Sequence, residues 1–237
     1  MNTENEVQQN SYFEYRNIDS SVYEDFNIPF WIKTELKDNS LNILDYGCGF
    51  GQTIQALKKD GYKNCYGVDI ENSAIAFCEK NGLTVKKLNL QNLYNPYSFK
   101  FDVIILSHII EHIPKSKIID TLILIKNEFL EKKGKLLVAV PNAQSNTDSY
   151  WAYEDWTHTT LFTSGSLYYV LKSAGFNSIE FLDIDCSIGD KGFRRIIRKF
   201  FLYLYKFNKS FWNKITCSSY HKPSLEIFSY EIKVKAQ

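Results

Sequence analysis

The sequence predicts an α/β fold built on a parallel sheet, and three observations carry that expectation. Short apolar runs alternate with amphipathic ones through the middle of the 237-residue chain. The apolar runs are nearly continuous, as in strands covered on both faces. The amphipathic runs close at glycines, as helix C-caps do. Such alternation implies crossover connections between parallel strands.

Taken in order, "NILDY" (42–46) is the first strand and "GQTIQALKKDG" (51–61) the first helix of the core. "NCYGVDI" (64–70) and "NSAIAFCEKNG" (72–82) repeat the pair. "LTVKKL" (83–88) and "FDVIILS" (101–107) are strands, and "KSKIIDTLILIKNEFLEKKG" (115–134) is a long helix ending at Gly134. The strand "GKLLVAVP" (134–141) follows. "TSGSLYYVLKSAGF" is a further helix with a Ser or Thr N-cap and Gly175 near its end. "SIEFLDID" and "SLEIFSYEIKVKA" form a closing pair of strands, separated by a basic aromatic insertion. No internal repeat or low-complexity linker interrupts the series.

Composition narrows the function classes. A formal charge of +1 does not mark a nucleic-acid binder, and 16% aromatic residues argue against disorder. Cys48, Cys65, Cys78, Cys186 and Cys217 are scattered without a CxxC pair, which fits reduced thiols better than a disulfide framework or zinc ribbon. The polar start "MNTENEVQQN" lacks the order of a secretion signal, and no apolar run reaches the roughly 20 residues of a spanning helix. A cytoplasmic protein is the expectation.

The chain has 11 glycines, and three of them stand at alternate positions in "ILDYGCGFG" (43–51), between the first strand and its helix. Glycine lets a ligand lie against backbone, and a helix N-terminus offers unpaired N–H groups, so this is the geometry of a nucleoside-cofactor site. GxGxxG fails because Gln52 holds the third glycine position, and no GxxxxGK phosphate loop is present. Asp45 adds a carboxylate that suits a cationic ligand. Asp69 ends the second strand, where a carboxylate can hold a ribose diol.

"LDYGCGFG", "GVDI" and "FDVIILSHIIEHIP" together resemble the successive signature segments of class I S-adenosylmethionine-dependent methyltransferases, over about residues 40 to 185. The resemblance implies a Rossmann-like, doubly wound, seven-stranded and mostly parallel sheet with an antiparallel edge. It implies S-adenosylmethionine as cofactor, with Asp45, Gly47, Cys48, Gly49 and Gly51 around its methionine moiety. Asp69 would hold the ribose and Ile70 would pack on adenine. Asn89 and Leu90 would reach the adenine, and Ser107 would sit beside the sulfonium. Asn89 departs from the Asp common in the family, although an amide oxygen still accepts from the adenine amino group. The chain then divides into an N-terminal helical lid (1–39), the methyltransferase core (40–188), a basic amphipathic helical insertion (189–222) and a final edge strand (223–237). Tyr12, Tyr15 and Arg16 would belong to the lid.

The histidines carry the candidate chemistry. "HIIEH" (108–112) matches a zinc-peptidase helix pattern, but Pro114 follows within two residues and no long helix can form, so no metal is assigned. Small-RNA 2′-O-methyltransferases and ubiquinone-pathway O-methyltransferases look similar here, with divalent-metal ligands after this strand. Carried over, that likeness makes His108, Glu111, His112 and His158 an alternative metal set. His158, in the loop after the fifth strand, is the preferred catalytic base for a hydroxyl acceptor, with Asp155 or Glu154 to orient it and Glu111 as second catalytic residue.

"DSYWAYEDW" (148–156) groups aromatics with acids, which suits a carbohydrate ring, an amine or a cover over the core. From Lys191 to Lys214 there are eight Lys or Arg and no acid. Phe193, Ile196, Ile197, Phe200, Phe201, Leu204, Phe207 and Phe211 recur there at helical spacing. This helix could face a phosphorylated substrate, an anionic membrane surface or a second subunit, or serve simply as a cover with a solvated charged face. The resemblance to glycan-pathway members points to a sugar or sugar precursor of bacterial surface polysaccharide as the methyl acceptor, free, phosphorylated or nucleotide-linked. An N-methyltransferase of a small phosphorylated amine is the alternative, and no nucleic-acid partner is expected.

Overall fold

The computed structural model describes residues 26–89, 93–218 and 224–237. Tyr12, Tyr15, Arg16 and Leu90 lie outside the described residues. The elements are α1 (Phe30–Lys33), β1 (Asn42–Tyr46), α2 (Gln52–Lys59), β2 (Asn64–Asp69), α3 (Asn72–Lys80), β3 (Thr84–Lys87) and β4 (Phe101–Ser107). There follow α4 (Ile118–Leu124), a π-helical turn (Ile125–Phe129), β5 (Leu130–Pro141), α5 (Tyr150–Glu154), α6 (Ser164–Ser173), β6 (Ile179–Leu182), α7 (Gly192–Ile215) and β7 (Glu231–Ala236).

The strands form one seven-stranded sheet in the order β3-β2-β1-β4-β5-β7-β6. β1 pairs in parallel with β2 and β4, and β2 with β3. β7 runs antiparallel to both β5 and β6 and inserts between them, so β6 takes the edge. The α/β class with a mostly parallel sheet and an antiparallel margin is as expected. The final strand, expected at the edge (223–237), instead lies one place in from it because it pairs with both β5 and β6. Ile43, Leu44, Val103, Ile104, Ile105 and Leu106 are fully buried, which explains why β1 and β4 read as unbroken apolar runs.

Two compact units divide the chain: residues 26–106 with 124–135, and residues 107–123 with 136–237. In the first, rings from Tyr66, Tyr97, Phe99 and Phe101 pack edge-on or tilted at 5.1–5.7 Å. In the second, Leu167, Leu171 and Phe176 are fully buried beside a reciprocal cap, in which Thr163 and Ser166 bond each other's backbone.

Several elements are shorter than expected, the last strand beginning only at Glu231, and one boundary differs in kind. The long helix does not run to Gly134 but ends through the π-helical turn at Phe129, and the strand begins at Leu130. A Cβ on Gly134 would meet the Leu130 side chain at 2.8 Å and the Glu131 carbonyl at 3.0 Å. That glycine permits a close backbone approach within a strand and caps no helix.

Candidate active site

The first unit carries the glycine cradle. Tyr46 ends β1, and Gly47, Gly49 and Gly51 follow with φ of 81°, 51° and 79°, all in the left-handed region that glycine enters at little cost. The Gly47 and Cys48 amides both donate to the Val68 carbonyl, at 2.8 and 3.1 Å, and tie the turn to β2. A side chain on Gly51 would run into Leu83 and approach the Cys78 thiol to 3.0 Å. Gly51 is also the N-cap of α2 and supplies no side chain to cap it, so the first amides of that helix keep their capacity to donate.

Two carboxylates border this turn. Asp69 accepts from the Gly49 amide at 2.7 Å through Oδ2 and from the Glu71 amide at 2.9 Å through Oδ1. With the Ile70 amide as a third donor, the carboxylate still has lone-pair capacity for an outside donor. Burial raises the Asp69 pKa, against which the backbone N–H bonds act. Asp45 is buried in β1, and that burial pushes its pKa to about 7, opposed by a hydrogen bond from Thr53 and reinforced by the charge of Asp69. Ile70 beside them is exposed, an apolar surface at a strand end. Cys48 is buried, and Asn89 lies exposed after β3. Sequence reasoning passed over Gln52 except as the residue that breaks GxGxxG; its side-chain carbonyl is buried without a hydrogen-bond partner.

The second unit carries the histidine cluster. Ser107, half-buried, ends β4, and His108 follows with φ 56°, a strained conformation for a residue with a Cβ. This turn aims the imidazole between two acids: Nδ1 lies 3.2 Å from Glu111 Oε1 and Nε2 lies 2.8 Å from Glu231 Oε1. A ring bonded to carboxylates through both nitrogens must donate from both, so it is an imidazolium. Burial opposes that charge, but the hydrogen bonds and charges of Glu111 and Glu231 outweigh it and raise the pKa to about 10. His108 is thereby withdrawn from the metal set. Glu231, on β7, had no local signal in the sequence; only the sheet register brings it here.

Glu111 is fully buried, and its Oε2 has no hydrogen-bond partner. The Thr159 amide donates to the Glu111 carbonyl at 2.8 Å, and the Thr159 hydroxyl donates to the Ile113 carbonyl at 2.6 Å. These bonds stitch the loop bearing His158 to the turn bearing His112, and the two imidazole centroids lie 4.8 Å apart. Their tautomers follow from their partners. His158 Nδ1 lies 2.6 Å from the Trp151 carbonyl, which can only accept, so the neutral ring keeps its lone pair on Nε2. Thr157 gives its hydroxyl proton to Asp155 at 2.6 Å, so it accepts from His112 Nδ1 at 2.8 Å. What orients His158 is therefore a backbone carbonyl, where the sequence pointed to Asp155 or Glu154. Burial lowers the His112 pKa and favours the neutral ring. One ligand-type atom from each of Glu111, His112 and His158 lies within 4.8 Å of the other two.

Against this geometry stand the comparisons with known proteins. A methyltransferase-domain family model matches residues 24–180. The chain belongs to that family. With the seven-stranded sheet, membership makes it a class I S-adenosylmethionine-dependent methyltransferase, as its motifs implied. The fold is shared with a SAM-dependent methyltransferase from Archaeoglobus fulgidus, at TM-score 0.57 and 22% identity over 86% of this chain and 92% of that one. It is shared also with a magnesium protoporphyrin IX methyltransferase from Synechocystis PCC 6803 with bound SAH, at TM-score 0.56 and 13% identity over 98% of both chains. A third similar structure is a possible histamine N-methyltransferase from Thermotoga maritima, at TM-score 0.55 and 17% identity over 98% of this chain and 94% of that one. No curated protein sequence matches the chain.

Proposed function

We propose that this methyltransferase moves the methyl group of S-adenosylmethionine to a hydroxyl of a small acceptor, a sugar or sugar precursor of the kind used in bacterial surface polysaccharides, with His158 as general base. The observation that carries the proposal is the tautomer of His158. Its Nδ1 proton is committed to the Trp151 carbonyl, which leaves Nε2 a lone pair able to take the acceptor's proton. Glu111, buried and partly unpaired, stabilises the positive charge that the ring acquires. Asp45 and the glycine turn cradle the cofactor's methionine end and Asp69 holds its ribose. Alignment for in-line displacement then supplies much of the rate. The exposed rings of Tyr150, Tyr153 and Trp156, the last 83% exposed, offer apolar faces of the kind that sugar rings stack on.

The test pairs two variants. His158→Ala should lower kcat by at least about a hundredfold with cofactor affinity unchanged by calorimetry. Asp69→Ala should weaken cofactor binding itself. Turnover of nucleotide-linked and free sugars, followed by product mass, identifies the acceptor class; methylation of phosphorylated amines instead would support the N-methyltransferase reading.

A second reading is favoured by the convergence of Glu111, His112 and His158. A buried carboxylate oxygen without a partner and two rings whose Nδ1 protons are engaged fit a zinc, iron or manganese ion better than magnesium. Such an ion would lower the pKa of an acceptor hydroxyl. Calorimetric titration with zinc and manganese, and turnover after chelation, test it; activity untouched by chelator removes the metal.

A further inference from the structure

We infer that α7 docks this methyltransferase onto an anionic lipid surface, lying in the plane of the interface. The helix runs 24 residues, and none of them is buried. A cytosolic helix turns its apolar stripe inward, and α7 does the reverse. Its half-buried residues are Leu202, Tyr205, Lys206, Lys209 and Asn213, spaced three and four apart on one mostly polar face. That face is held within the second unit by Arg198 to Asp190 at 2.6 Å, Lys206 to Asp185 at 2.8 Å and the Tyr205 hydroxyl to Asn146 at 3.1 Å, with the Tyr205 ring 5.2 Å from that of Phe228.

The opposite face carries Phe193, Ile196, Phe200, Leu204, Phe207 and Phe211, all exposed, with Phe193 at 75% and Phe207 at 66%. A contiguous aromatic face of this size marks an interaction surface. Charge selects its occupant. The helix holds seven Lys or Arg and no acid, and the exposed Lys199 and Lys214 lie on the border of the apolar stripe at the helical period. Two copies packed through this face would bring those cations together without a carboxylate between them. A nucleic acid would need the cations, several of which are turned to the body of the protein, and would leave the phenylalanines wet. An anionic bilayer satisfies both: phenylalanine rings enter the acyl boundary while border cations meet headgroup phosphates. No helix among the described residues is long and apolar enough to cross a membrane, so the contact is peripheral.

The test is flotation of the full chain with vesicles of phosphatidylcholine alone or mixed with phosphatidylglycerol, at low and high salt. Wild type should float with the anionic vesicles and lose most of that binding in pure phosphatidylcholine or high salt. Phe193→Ser, Phe200→Ser and Phe207→Ser combined should cut partitioning at least about tenfold. Lys199→Gln with Lys214→Gln should reduce it about tenfold. Because all five side chains are exposed, thermal melting should be unchanged, which separates lost docking from lost fold. No flotation at low salt, or flotation that the triple serine variant keeps, overturns the inference. Absence of flotation together with a dimer in light scattering that the triple variant abolishes assigns the face to a second copy instead.

Discussion

In the cofactor cradle proposed above, Asp45 couples protonation to the donor's charge. Burial holds its pKa near about 7, so below neutrality the apo protein presents a carboxylic acid to the glycine turn. A sulfonium favours the carboxylate, and binding it should release a proton. Affinity for S-adenosylmethionine should therefore rise with pH, by up to about tenfold per unit below 7, and level off above. S-adenosylhomocysteine has no sulfonium and should show a much flatter profile; calorimetry at several pH values measures both. Asp45→Asn should flatten the donor's curve. The same shift has a stability consequence. The folded state holds a proton that the unfolded chain has lost above about pH 4, so this group's contribution to stability falls between about pH 4 and about 7. Melting temperatures of wild type and Asp45→Asn across that window should diverge. His108 makes the opposite kind of contribution, as a cation set beside a fully buried acid. His108→Ala removes the partner of Glu111 and, because the imidazole is 41% exposed, should destabilise the protein by only about 1–2 kcal/mol in denaturant unfolding.

Elements were legible in the sequence where their signals are local. β1, β4 and the capped helix α6 depend on contiguous apolar runs and on a Thr–Ser cap, and each lies where it was read. Thr163→Ala should cost about 1 kcal/mol, measured by thermal melting, because it removes one half of that reciprocal cap. The glycine turn was legible for the same reason, being nine consecutive residues. Gly51→Ala should both destabilise the fold and weaken cofactor binding, since the residue combines a φ of 79° with contact against Leu83 and Cys78. Where the signal is non-local, reading failed. Gly134 resembles a helix stop, and only the packing of Leu130 against it reveals a strand. Glu231 lies 123 residues beyond His108 and reaches it through β7, whose placement between β5 and β6 no local pattern announces. The Trp151 carbonyl that sets the His158 tautomer is a backbone atom, which side-chain types cannot point to.

At the scale of the whole molecule, α7 was recognised as a basic amphipathic helix, but which way it faced was not legible. Periodicity fixes that a helix has two faces; the partners Asp185, Asp190, Asn146 and Phe228 decide which one turns inward. The excursion that carries it begins after β6 and returns at β7, and these strands are hydrogen-bonded neighbours in which Leu182 stands opposite Lys233. A segment that departs and rejoins at facing rungs of one ladder can grow, shrink or be exchanged without shifting the register of the sheet around it. The proposed docking helix and the strands that carry the methyl-transfer residues are in that sense separable, and replacing the first leaves the register of the second intact.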